Sequence, residues 1–145
     1  MALLEPRTPE VGGRLARRCA QRDASLHLIA PQYPLDDPAF RESGPDDWNR
    51  LDWWVHPGWR DFRDAISRER CLYFSADADR DPADAPFRPN SVLVFGTEEF
   101  ALPERIVEKY PDRIFALPRG ARSRRGDPAA AVEATVAFAA QRIGG

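Results

Sequence analysis

The chain is almost devoid of lysine: Lys109 stands alone beside twenty arginines in 145 residues. A GC-rich coding sequence produces that bias. So does a surface that grips phosphate or stacks on bases, because the guanidinium is a planar, bidentate fork. Both readings stay open at this point. Net charge of one sign is also missing, at a formal −2, so overall charge gives no sign of a nucleic-acid binder. Cysteine occurs twice, at Cys19 and Cys71, far apart in apolar segments and without metal-ligand spacing. That argues against a disulfide framework and predicts buried free thiols in a reducing compartment. The two histidines, His27 and His56, read as no metal site, and His27 reads as packed within a strand. No P-loop, Gly-x-Gly-x-x-Gly run or Ser/His/Asp arrangement is present. No apolar run nears the ~20 residues of a membrane span, and the start "MALLEP" lacks a signal-peptide pattern. These absences predict a soluble, cytoplasmic protein. Residues 1–145 read as one domain, close to the usual size of ~150 residues.

What is there is an alternation of short apolar runs and amphipathic segments. Ala2-Leu3-Leu4, Leu26 to Ile29, Trp53 to Val55, Cys71 to Phe74, Val92 to Phe95 and Ile114 to Leu117 read as strands. Helices are predicted at Val11 to Arg22, Pro57 to Ser67, Pro103 to Tyr110 and Pro128 to Ile143, with a short helical turn at Pro38 to Arg41. Val11, Leu15 and Cys19 form an inward stripe, as do Trp59, Phe62 and Ile66, and Ile106, Val107 and Tyr110. Trp54 and Trp59 are read as core. Gly12 and Gly13 mark a point where something approaches the first helix closely. Strands alternating with helices predict a mostly parallel α/β sheet with helices on both faces.

Ligands of such sheets bind beyond the carboxyl ends of the strands. Three late loops leave such ends, after Phe74, Phe95 and Leu117. The middle one, in "SVLVFGTEEFALP", drops from a strand straight into Gly96, which permits close backbone approach or positive φ. Glu98 in that loop reads either as a polar group aimed at a ligand or as an acid favouring the helix that follows. The loop "PRGARSRRGDP" carries Arg119, Arg122, Arg124 and Arg125. With Arg14, Arg17, Arg18 and Arg22 it could form a positive rim for RNA, or simply a solvated turn. The last helix is nearly bare alanine, with Val132, Val136 and Ile143 as its larger apolar contacts. Small side chains let another backbone approach, within the core or across subunits.

Taken in order, "LLEPRTPEVGGRLARRCA", "SLHLIAP", "LDD", "VHPGWRDFRD", "LVFGTEEFALP" and a final helix ending "QRIGG" resemble the SPOUT-superfamily RNA 2′-O-methyltransferases of the SpoU type. The small bacterial enzymes that methylate the tRNA wobble nucleotide are the nearest in pattern. The resemblance implies a C-terminal trefoil knot, an obligate homodimer and S-adenosylmethionine as cofactor. It implies ribose 2′-O-methylation of RNA, with tRNA the expected substrate. The alternative it leaves is a knotted, catalytically inactive homodimer that binds RNA or S-adenosylmethionine.

Position by position, the resemblance makes Arg17 the catalytic arginine, while an expected asparagine is Arg14. A Gly-Pro-Glu-x-Arg-Gly-Leu-Pro type run matches at Gly96, Glu98, Leu102 and Pro103, but Thr97, Phe100 and Ala101 replace its other named residues. In the last motif, a serine falls on Arg125 and asparagines on Asp127 and Ala130. The cofactor is then expected on main-chain groups of Phe74, Gly96 and Leu117, with Glu98 and Arg125 beside them. Arg14, Arg18, Arg119, Arg122 and Arg124 are the expected RNA contacts. No metal is implied.

Overall fold

A computed structural model describes residues 1–96 and 99–144. Six parallel strands, β1 (Ala2–Leu4), β2 (Leu26–Ile29), β3 (Trp53–His56), β4 (Cys71–Ser75), β5 (Val92–Gly96) and β6 (Ile114–Ala116), form one sheet in the order β3-β2-β1-β5-β4-β6. The inner strands are apolar apart from His27 and Ser75 because helices cover both faces. Strand residues then alternate between two cores. Leu3, Leu28, Leu72, Phe74, Leu93, Phe95 and Phe115 pack on one face against α1 (Pro9–Gln21), α2 (Pro38–Ser43), α5 (Arg119–Arg122) and α6 (Pro128–Gly144). Leu4, Ile29, Tyr73, Val94 and Ile114 pack on the other, against Phe62 of α3 (Trp59–Ala65) and Ile106 of α4 (Glu104–Lys109).

The stripe Val11, Leu15 and Cys19 is buried as the spacing required. The two glycines of α1 meet protein. A methyl on Gly13 would lie 2.5 Å from the Phe40 carbonyl oxygen and 2.7 Å from Ser43 Cβ, and one on Gly12 would meet the Tyr33 hydroxyl. We expect Gly13→Ala to destabilise the fold by about 1–2 kcal/mol, overpacking outweighing the helix propensity gained. Gly120→Ala, where the nearest atom is the end of Arg124 at 3.5 Å, should stay within ~0.5 kcal/mol of wild type, both variants being measured by urea titration.

Three inward assignments are corrected. Trp54 is 56% exposed because β3 is the sheet edge and its outer face is uncovered; the indole N–H donates to Asp52 Oδ1 at 2.9 Å. Val107 is 41% exposed because α4 is only six residues long and turns Ile106 and Tyr110 inward instead. Ile143, near the end of α6, is 40% exposed. Trp59 is half-buried against Phe62 and Tyr73. The basic segment expected to be a loop begins with the short helix α5.

Both cysteines are free and buried, and burial pushes each thiol up to about 11. Such thiols stay protonated and unreactive near neutral pH. His27 and His56 are buried side by side, with His27 Nδ1 3.0 Å from His56 Nε2 and the edge of Phe62 against both rings. Among the described residues, no cluster of three or more His, Cys, Asp or Glu could hold a metal. No helix among them is long and apolar enough to cross a membrane.

Candidate active site

The carboxyl ends of β5, β4 and β6 lie side by side, with Phe95 in register with Phe74, and Ser75 with Ala116. The chain leaving β5 doubles back onto its own last residue. A methyl on Gly96 would fall 2.0 Å from the Ala101 carbonyl oxygen and 2.6 Å from its carbon. No side chain fits there, so the returning main chain is what requires glycine. Phe100 makes the return possible by taking φ = 58°, a left-handed conformation that costs a bulky residue of order 1–2 kcal/mol. Its buried ring offsets that cost by packing edge-on against Phe95 at 6.2 Å.

The loop after β4 is stitched to this one and to the end of β6 through main-chain groups. The Ala76 amide donates to the Phe100 carbonyl at 2.9 Å, and the Ala116 amide donates to the Arg80 carbonyl at 2.8 Å. Ser75, buried at the end of β4, accepts the Asp77 amide on its hydroxyl at 3.2 Å. Three strand ends thus meet in a cross-braced cluster of backbone with few polar side chains. Phe74 and Leu117 are buried with their side chains in the core, which leaves their main-chain groups as what they can offer a ligand. Glu98 and Thr97 lie outside the described residues.

The arginines separate into groups. Arg18 and Arg22 of α1 and Arg119 and Arg124 of the basic segment line one open groove of about 550 Å³, floored by Ala134 and Phe138 of α6. Glu133 sits among them and accepts from Arg18 Nη1 and, at 2.8 Å, from Arg22 Nη2. Arg124 Nη1 donates to the Gly120 carbonyl at 2.8 Å. The structure therefore brings together Arg18, Arg119 and Arg124 of the expected RNA contacts, while Arg14 and Arg122 are exposed and do not line that groove. Arg125, expected beside the cofactor, is exposed in the turn before α6. Sequence reasoning missed Glu133; an acid in an alanine-rich helix gives no hint that two arginines 111 and 115 residues away close onto it.

Arg17 points elsewhere. Its Nε donates to the Gly44 carbonyl at the end of α2, 3.1 Å away, and it lines a different cavity with Asp46, Asp47 and Arg50. Phe74, Gly96 and Leu117 do not line that cavity.

Residues 1–123 match the model of the SpoU rRNA Methylase family. A Burkholderia ambifaria protein named tRNA (cytidine(34)-2′-O)-methyltransferase is 34% identical over 113 residues, covering 76% of this chain and 72% of that protein. A solved structure described as giving insight into the 2-OH methylation of C/U34 on tRNA superposes with a TM-score of 0.72 at 31% identity, over 81% of this chain and 77% of that one. The SpoU methyltransferase AviRb from Streptomyces viridochromogenes, in complex with AdoMet, superposes with a TM-score of 0.73 at 21% identity, over 100% of this chain and 61% of that one. At that identity the likeness is one of fold.

Proposed function

From the premise that the chain belongs to the SpoU rRNA methylase family, we propose that it methylates a ribose 2′-hydroxyl of tRNA, with nucleotide 34 as the target. It is an RNA 2′-O-methyltransferase that uses S-adenosylmethionine. The observation that carries the reading is the closed return of the chain onto Gly96 where three strand ends meet.

The residues present fit an adenosyl cofactor held by main chain. The Gly96 turn presents backbone with no side chain in the way, beside the apolar position Phe74 of the adjoining strand, with Leu117 one strand further on. Phe100 and Ala101, which replace an expected arginine and glycine, keep this turn closed by packing and by a main-chain bond. Backbone contacts survive such side-chain replacement, so the altered positions are compatible with cofactor binding. Bound there, S-adenosylmethionine supplies an electrophilic methyl group, and the protein's part is to align the ribose oxygen with it. A cation beside that oxygen stabilises the alkoxide as its proton leaves. We assign this to Arg17. Its separation from the Gly96 turn supports a homodimer in which Arg17 of one copy faces the strand ends of the other. The main-chain bonds between the loops after β4, β5 and β6 support a trefoil knot there. Arg18, Arg119 and Arg124 line the groove that we assign to RNA phosphate, and a tRNA substrate supports a cytoplasmic location.

The test is transfer of label from S-adenosylmethionine to total tRNA lacking 2′-O-methylation, with light scattering to show twice the chain mass. Arg17→Ala is expected to lower turnover at least ~100-fold, within the range such charge stabilisation supplies. Its cofactor affinity should stay within about threefold of wild type by calorimetry. Full turnover in that variant removes Arg17 from the mechanism, and no label in any tRNA with the wild-type protein removes the reading itself.

A further inference from the structure

A second basic site lies at the opposite pole of the sheet. β5, β4 and β6 are neighbours, and the residues that feed into them converge. Arg70 immediately precedes β4, Asn90 lies just before β5, and Arg113 immediately precedes β6. With Arg88, Glu69 and Pro86 they line a cavity of about 310 Å³. A parallel sheet forces this gathering, since all amino ends lie on one edge.

The guanidiniums of Arg70 and Arg113 are held by neutral partners. Arg70 Nε donates to the Asn90 carbonyl at 2.9 Å. Arg113 Nε donates to the Cys71 carbonyl at 2.8 Å and its Nη2 to the Glu69 carbonyl at 2.9 Å. Among the described residues, the salt bridges of Arg18, Arg22, Arg50 and Arg80 leave Arg70, Arg88 and Arg113 without a carboxylate within ion-pair distance. The one acid on the cavity wall, Glu69, has its carboxylate engaged by the Ser67 hydroxyl. An adjoining cavity of about 350 Å³ shares Arg70, Arg88 and Asn90 and adds Met1, Asp23 and His27. The positive field extends into it. Burial first, and Arg70's charge among the lesser causes, pushes down both the Met1 ammonium and His27.

Two forked cations oriented by backbone carbonyls, Arg70 and Arg113, with Arg88 on the same cavity wall, match the oxygens of a phosphoryl group, which accept parallel N–H bonds from arginine better than from any other side chain. We infer that Arg70, Arg88 and Arg113 form a phosphoryl-binding site separate from the methyl-transfer end of the sheet. The phosphoryl group comes either from a small phosphorylated molecule or from the backbone of the RNA substrate.

The experiment uses the full chain, the double variant Arg70→Gln/Arg88→Gln and the single variant Arg88→Glu. Arg113 is left in place because it ties β6 to β4. Arg88 is exposed, so its replacement leaves the core untouched. Thermal unfolding is followed with sodium pyrophosphate against sodium chloride of equal ionic strength, and tRNA binding is measured across a salt series. Pyrophosphate at millimolar concentration should raise the wild-type midpoint by ~2–4 °C and that of each variant by under ~1 °C. If the group belongs to RNA, the log–log salt slope for tRNA also falls by about 1–2 in the double variant. An unchanged slope with a lost pyrophosphate shift assigns the site to a small ligand. Equal pyrophosphate shifts in all three proteins, or no wild-type shift together with equal tRNA slopes, overturn the assignment. Calorimetry with S-adenosylmethionine on the same proteins keeps failure here distinct from failure of the methyltransferase reading.

Discussion

Gly96→Ala is expected to lose at least tenfold in affinity for S-adenosylmethionine and about 2 kcal/mol in stability, lowering the midpoint by ~6 °C. The cause is local. The atom added would sit 2.0 Å from a carbonyl oxygen of the same loop, and a main-chain oxygen cannot swing aside as a side chain can. Relief requires residues 100–102 to lift. Lifting them breaks the Ala76–Phe100 main-chain bond and pulls the buried Phe100 ring from Phe95. Stability and cofactor affinity therefore fall together. Differential scanning fluorimetry and calorimetry on one preparation check the coupling. A variant that keeps wild-type cofactor affinity would falsify the placement of the adenosyl group on this turn.

The buried histidine pair gives the second large effect, in pH. Burial first, then the Met1 ammonium and the charge of His56, holds His27 down to about 4; burial also lowers His56. An unfolded histidine titrates near 6.5. Between roughly 6.5 and 4 the unfolded chain binds a proton at this position that the native chain refuses, so stability falls as the solution is acidified through that window. The loss attributable to His27 amounts to about 3 kcal/mol by pH 4. The charges of Asp52, on His27, and Asp61, on His56, oppose it as lesser causes. The Met1 amine, also lowered by burial, tilts the profile in the same direction from pH 8 downwards. A variant is therefore needed to isolate the ring. His27→Asn should be less stable at pH 7.5 yet show a flatter urea midpoint between pH 6.5 and 5, above the range where carboxylates titrate. Parallel wild-type and variant profiles in that interval would leave the pair without this role.

The sheet was legible in the residues because its inner strands are covered on both faces. Leu26 to Ile29 and Val92 to Phe95 have no polar alternation beyond His27 to confuse the period, and proline or glycine punctuates most ends. Trp54 misled because hydrophobicity reports a preference for burial and not a place in the strand order; only the pairing shows that β3 has one neighbour. Gly96 was legible as a special position, yet its reason lay in residues 100–102, whose return depends on a left-handed Phe100 that no propensity favours. The placement of Arg17 was beyond reach for a similar reason. Its partner is a carbonyl 27 residues away at the end of α2, and backbone carbonyls carry no sequence signal.

Strand β1 contributes a last consequence. It sits in the middle of the sheet, bonded to β2 on one side and to β5 on the other, with Leu4 opposite Gly96. A nascent chain emerging from the ribosome can zip β3, β2 and β1 early, but the far flank of its first strand stays open until some ninety residues more have been made. During that interval an apolar ribbon waits without its neighbour. Long-range parallel pairing of this kind closes slowly, so the pace of translation and the holding of that bare edge bear on how much of the chain reaches its native form.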